Sequence, residues 1–158
     1  MMTILFVVSM EEEAADNCKT YLDKSLEYDP KNPESLQLLA SYWLSKEELE
    51  LARKSILDSL DNWLPQYLEA EKSGPLVDPS QAIALTYDAR INTSRILTEV
   101  KEFDKALQVL EQLVEEDDEV VVIWYMLGWV NYCKGEEYYS NAKYYFKRAN
   151  EVNNNNIS

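Results

Sequence analysis

The sequence predicts an all-α fold, a solenoid of antiparallel helix hairpins with about three repeats after a truncated N-terminal one. Small and apolar residues recur with a period of 34, as at Cys18 and Ala52, which suits a two-helix unit. The last part of the chain repeats the unit most clearly: Trp124, Leu127 and Gly128 mark a first helix, and Ala142, Phe146 and Ala149 a second. Three glycines and five prolines in 158 residues leave little for a turn-rich β fold.

Taken in order, residues 1–30 form the truncated leading repeat. Residues 1–10 are apolar, but no basic segment precedes them and they run directly into Glu11, Glu12 and Glu13, which argues against a targeting leader. Carried backwards, the register makes this stretch half of a hairpin, followed by the stripe of Cys18, Leu22 and Leu26 and the stop at Asp29-Pro30. Residues 33–64 form the next repeat, with Leu36, Leu39, Ala40 and Trp43 on its first helix and Leu49, Ala52, Ile56 and Leu60 on its second. Ala52 suits the closest approach of two helices whose axes lie about 8–10 Å apart.

From Ala52 to Ala106 the step is 54 residues, and the excess over one period falls in residues 62–80, with Pro65, Gly74, Pro75 and Pro79. This reads as a loop insertion with room for two helical turns near Gln66 to Lys72. In the repeat at 81–118, the first helix is expected from about Pro79-Ser80 to Val100. It is degenerate, because Arg90, Thr93 and Ser94 stand where large, apolar and small residues are usual; Phe103, Ala106, Leu110 and Leu113 mark its second helix. The last repeat covers 120–152, with Val120 to Ile123 as a helix start and a two-residue insertion in the turn near Gly135 to Ser140. Residues 1–150 are expected to form one domain, and 153–158 a disordered tail.

The chemistry of the chain points away from catalysis. It has no histidine, the residue most used for proton transfer near neutral pH and the commonest zinc ligand. Its glycines, at 74, 128 and 135, form no phosphate loop. The run Glu115, Glu116, Asp117, Asp118 and Glu119 lacks the glycine and ligand spacing of a calcium loop and reads as a solvated helix junction. Cys18 and Cys133 are expected to be buried thiols of a protein in a reducing compartment. Asn92-Thr93-Ser94 matches a glycosylation acceptor but falls inside a helix. The expectation is therefore a protein that is not an enzyme, with no cofactor, metal or small-molecule substrate.

Charge then selects the partner. With 29 acidic and 15 basic side chains, the net charge of −14 repels phosphate backbones and attracts basic protein segments. Neither nucleic acid nor a membrane is expected as a partner. In tetratricopeptide (TPR) units, which the 34-residue period matches, the first helix of each hairpin lines the groove. Its groove positions are Glu34, Gln37 and Ser41 in one unit, Asp88, Ile91, Arg95 and Glu99 in the next, and Val122, Tyr125, Trp129, Tyr132 and Cys133 in the last. An acidic middle beside an aromatic end suits an extended segment carrying Lys or Arg. Tyr125, Trp129 and Tyr132 suit a buried helix contact equally well. The candidate partner-binding residues are Glu34, Gln37, Asp88, Glu99, Asp117, Asp118, Glu119, Tyr125, Trp129 and Tyr132. Binding of an acidic chaperone tail is disfavoured, because Gln37, Ile91 and Tyr125 stand where that clamp needs a basic residue.

Two blocks carry a narrower resemblance: Asp29-Pro30-Lys31-Asn32-Pro33-Glu34, and the acidic run of 115–119 joined to Trp124-Tyr125-Met126-Leu127-Gly128-Trp129. Together with the widened spacing between them, they resemble the fungal TPR-type assembly chaperones of large-subunit ribosomal protein four, over about Asn17 to Asn150. The resemblance implies a chaperone of the cytoplasm and nucleus that shields a basic loop of that ribosomal protein in its groove until ribosome assembly. The chain looks shorter than that family, with its leading repeat truncated and no acidic tail after Asn156. A generic scaffold subunit of a multiprotein complex is the alternative.

Overall fold

The computed structural model describes residues 2–83 and 85–157, with side chains from Met10 onwards. The described residues form helices in the order α1 (Met2–Tyr28), α2 (Pro33–Ser45), α3 (Leu49–Asp61), α4 (Leu64–Lys72), α5 (Tyr87–Glu99), α6 (Phe103–Glu116), α7 (Val121–Lys134) and α8 (Tyr139–Ile157), joined by short connections that include 3-10 turns at Pro79–Ala82 and Glu136–Tyr138. No strand occurs among them, and none of these helices is long and apolar enough to cross a membrane. The fold is of the TPR type, with hairpins α2/α3, α5/α6 and α7/α8. The chain divides into two compact units, Met1–Ala84 and Leu85–Ser158.

In the first unit the leading hairpin does not form. Residues 2–28 make one continuous helix, because nothing between Glu11 and Asp29 interrupts it and Glu and Ala propagate a helix well. The Asp29-Pro30 stop falls where the sequence places it. The Asn32 side chain accepts the Ser35 N–H at 2.9 Å and caps α2, with Pro33 in the first turn where no donor is needed. Ala40, Ala52, Ile56 and Leu60 are buried between α2 and α3, and the Ser59 hydroxyl donates to the Pro33 carbonyl at 2.6 Å. Ala52 is fully enclosed, so Ala52→Leu is expected to overpack the hairpin and cost about 1–3 kcal/mol, read as a lower chemical-denaturation midpoint.

The stretch at 62–80 is more structured than a loop. Helix α4 begins at Leu64, two residues earlier than expected, because Pro65 occupies its first turn without losing a hydrogen bond. Trp63 and Tyr67 are almost wholly buried there, at 1% and 2% exposure. The expected burial of Cys18 is not found. It is exposed, since Leu22 is the one buried residue among the described side chains of α1.

The second unit also departs from the reading at both ends. Helix α5 starts at Tyr87 and not at Pro79-Ser80, because the Thr86 hydroxyl caps it by accepting the Ala89 N–H at 3.1 Å. Residues 153–157 are helical, contrary to the disordered tail expected; the Asn156 amide donates to the Glu119 carbonyl at 3.2 Å and ties the end of α8 down. Ser158 lies outside the described residues.

The degenerate positions of α5 have a physical explanation. Arg90, 3% exposed, replaces a large apolar residue and forms a two-pronged ion pair with Glu116 at the end of α6, its Nη2 donating to Oε2 at 3.0 Å. Thr93 and Ser94 turn their hydroxyls onto the carbonyls of Ala89 and Ile91, so their burial leaves these donors satisfied. Tyr87 donates to the Leu113 carbonyl at 3.1 Å. Its phenol is pushed up to about 12 by burial and then by the charges of Asp117 and Glu116.

Candidate peptide-binding site

Helix α7 sorts its residues by face. Ile123, Trp124, Leu127, Val130 and Asn131 are buried, whereas Val122, Tyr125, Trp129 and Tyr132, spaced by three and four, are exposed at 41%, 42%, 55% and 49%. A core role for these aromatics, left open by the sequence, does not fit that exposure. An apolar stripe on the solvent side is the reverse of an ordinary surface helix.

Neighbours hold the stripe in place. Phe146 of α8 lies over Gly128, so close that a Cβ there would sit 2.6 Å from the ring. The Trp124 indole donates to the Asp118 carbonyl at 2.8 Å, anchoring the inner face. On the outer face, the Tyr125 hydroxyl donates to Asn150 Oδ1 at 3.0 Å. Tyr132 stacks on Trp129 at 5.7 Å and on Tyr139 at 5.1 Å between ring centroids.

A cleft of about 660 Å³ opens between this stripe and the end of the α5/α6 hairpin. Arg95, Thr98 and Glu99 of α5, Lys101 in the turn and Phe103 of α6 face Tyr125, Met126, Trp129, Val130 and Cys133 of α7. Lys101 has a left-handed backbone, φ +66°, and the next N–H, of Glu102, closes onto the Leu97 carbonyl at 2.8 Å. Cys133 is half-buried here, not fully buried as expected, because it stands at the cleft wall. Burial raises its thiol above the ordinary range, which disfavours the reactive thiolate.

The structure divides the residues expected in one groove. Glu99, Tyr125 and Trp129 line this cleft, and Tyr132 extends it through its stacking on Trp129. Asp88 is exposed on the same face of α5, but eleven residues, or about 16 Å, from Glu99. Asp117, Asp118 and Glu119 line a different cleft, of about 780 Å³, with Trp124, Tyr144, Arg148 and Glu151. A side-chain turn shapes the junction there: the Asp117 carboxylate, through Oδ1, accepts the Glu119 N–H at 3.0 Å. In the first unit Glu34 is exposed, while Gln37 is only 5% exposed and drops out as a groove contact, because it turns with Leu36 and Ala40 into the packed side of α2.

The aromatic cleft is also less acidic than the sequence suggests. Arg95 was on the expected groove face, but Lys101 and Phe103 belong to the turn and following helix, outside the first-helix positions used to map the groove. Their closeness in sequence to Glu99 was the available signal.

The chain as a whole is similar to known proteins. No family model matches the chain. A protein named probable assembly chaperone of rpl4, from Schizosaccharomyces pombe, is 32% identical over 154 residues, covering 89% of this chain and 43% of its own length. One of the same name from Emericella nidulans is 37% identical over 119 residues, covering 75% of this chain and 28% of its own. The solved structure of the assembly chaperone of RpL4, Acl4, superposes with a TM-score of 0.64 at 30% identity, over 79% of this chain and 40% of that one. The chain is a homologue of these chaperones. It spans less than half the length of each. A structure of MamA, 15% identical with a TM-score of 0.61, shares the fold alone.

Proposed function

We propose that this chain is a non-enzymatic binding protein of the cytoplasm and nucleus that captures rpl4, as the names of its homologues indicate for them, and shields a segment of it for ribosome assembly. The observation that supports this reading best is the exposed row of Tyr125, Trp129 and Tyr132 along a cleft, in a chain homologous to named rpl4 chaperones. Burying the open faces of such rings against a client removes apolar area from water at about 25 cal/mol per Å². Glu99 takes a basic side chain of the segment; Glu34, Asp88, Asp117, Asp118 and Glu119 raise its association rate through the net charge of −14.

The test is calorimetric titration with purified rpl4 at low and moderate salt, beside a charge-matched scrambled version of its basic segment. Tight binding of rpl4 and weak binding of the scramble support the reading; equal binding of both reduces it to nonspecific attraction. In the same titration, Trp129→Ala is expected to weaken rpl4 binding at least tenfold, about 1.4 kcal/mol or more. Its half-exposed ring contributes little to the fold, so the denaturation midpoint is expected to stay near that of the wild type.

A further inference from the structure

Three charges line the aromatic cleft: Arg95, Glu99 and Lys101. On other helices several ions three or four apart find each other: Lys19 with Asp23, Arg53 with Glu50, Lys54 with Asp58 and Arg148 with Glu151. Arg95 and Glu99 have that spacing on α5 and form no ion pair among the described residues, and Lys101 forms none either. Arg95 makes only a long contact, 3.4 Å, with Asn92. All three line a cleft whose floor is Phe103, Tyr125, Met126 and Trp129.

We infer that the cleft is specific for a mixed-charge peptide segment: one large apolar side chain seated on the aromatic floor, a carboxylate meeting Arg95 and Lys101, and a cation meeting Glu99. The inference rests on the proposed capture of a client and names the chemistry of its anchor. Two cations and one carboxylate give the rim a net positive charge, so a uniformly basic segment is repelled here although the chain as a whole attracts it. An extended peptide presents successive side chains about 3.3 Å apart on alternating sides, so residues two positions either side of the anchor share its face and reach the rim. Global acidity thus recruits a basic protein, and the cleft chooses which part of it to hold.

Three synthetic peptides of equal length test this by calorimetry on the intact chain: one of lysine and glycine only; one with a central phenylalanine added; and one with that phenylalanine, an aspartate two residues to one side and a lysine two to the other. The third is expected to bind about tenfold more tightly than the second, and the first to bind weakest. In Arg95→Glu combined with Lys101→Glu, both at exposed positions, the order of the second and third is expected to invert. Equal binding of the three, or an order unchanged by the charge reversal, overturns the inference. Failure of the peptides alongside tight rpl4 binding overturns the inference alone; failure of the peptides and of rpl4 removes the client-capture reading as well.

Discussion

Replacing Glu116 by alanine is expected to cost the second unit about 3–5 kcal/mol, because it leaves the Arg90 guanidinium buried without its main counter-charge. The Arg90 side chain is 3% exposed and that of Glu116 is 21% exposed, so water reaches the carboxylate but not the cation. A buried ion held by a partner is roughly neutral relative to an apolar residue; the loss appears when one partner goes. Arg90→Leu with Glu116→Ala should therefore recover most of the stability that Glu116→Ala alone removes. The double-mutant cycle, read from denaturation midpoints by circular dichroism, measures the coupling directly. A Glu116→Ala variant as stable as the wild type would show that Arg90 is not anchored by this pair.

Gly128→Leu is expected to cost about 3 kcal/mol, at the upper end for overpacking a close contact. Even a methyl group would lie 2.6 Å from two atoms of the Phe146 ring and 3.0 Å from its attachment carbon, so the ring cannot clear it by a small rotation. Helix propensity works the other way, since leucine is better than glycine inside a helix by somewhat under 1 kcal/mol. The steric cost exceeds that gain. Because Phe146 lies against Tyr125, with centroids 6.2 Å apart, the same substitution should also displace the outer stripe and weaken the proposed binding of rpl4. Gly128→Leu combined with Phe146→Ala is expected to regain stability; a further loss in the double variant would mean that the clash is not with this ring.

The hairpins were legible because their cores are local. Ala52, Ile56 and Leu60, or Ala106, Leu110 and Leu113, recur at helical spacing, and each repeat buries its stripe against neighbours close in sequence. The resemblance to rpl4 chaperones was legible in the same local strings, above all the acidic run joined to Trp124-Tyr125-Met126-Leu127-Gly128-Trp129. Arg90 was legible only as an anomaly, since its explanation lies 26 residues away at Glu116.

Sequence alone therefore determined the helical class, the repeat period, the acidic balance and the family likeness, all properties of short-range pattern and composition. Tertiary structure decided which residues meet. It placed Lys101 and Phe103 beside Trp129, moved Asp117, Asp118 and Glu119 to another cleft, buried Gln37 and left Tyr125, Trp129 and Tyr132 open to solvent. Helical periodicity sets the face on which a side chain emerges, but not which neighbouring helix covers that face. In this protein the uncovered aromatic face and its unpaired rim charges define the candidate site.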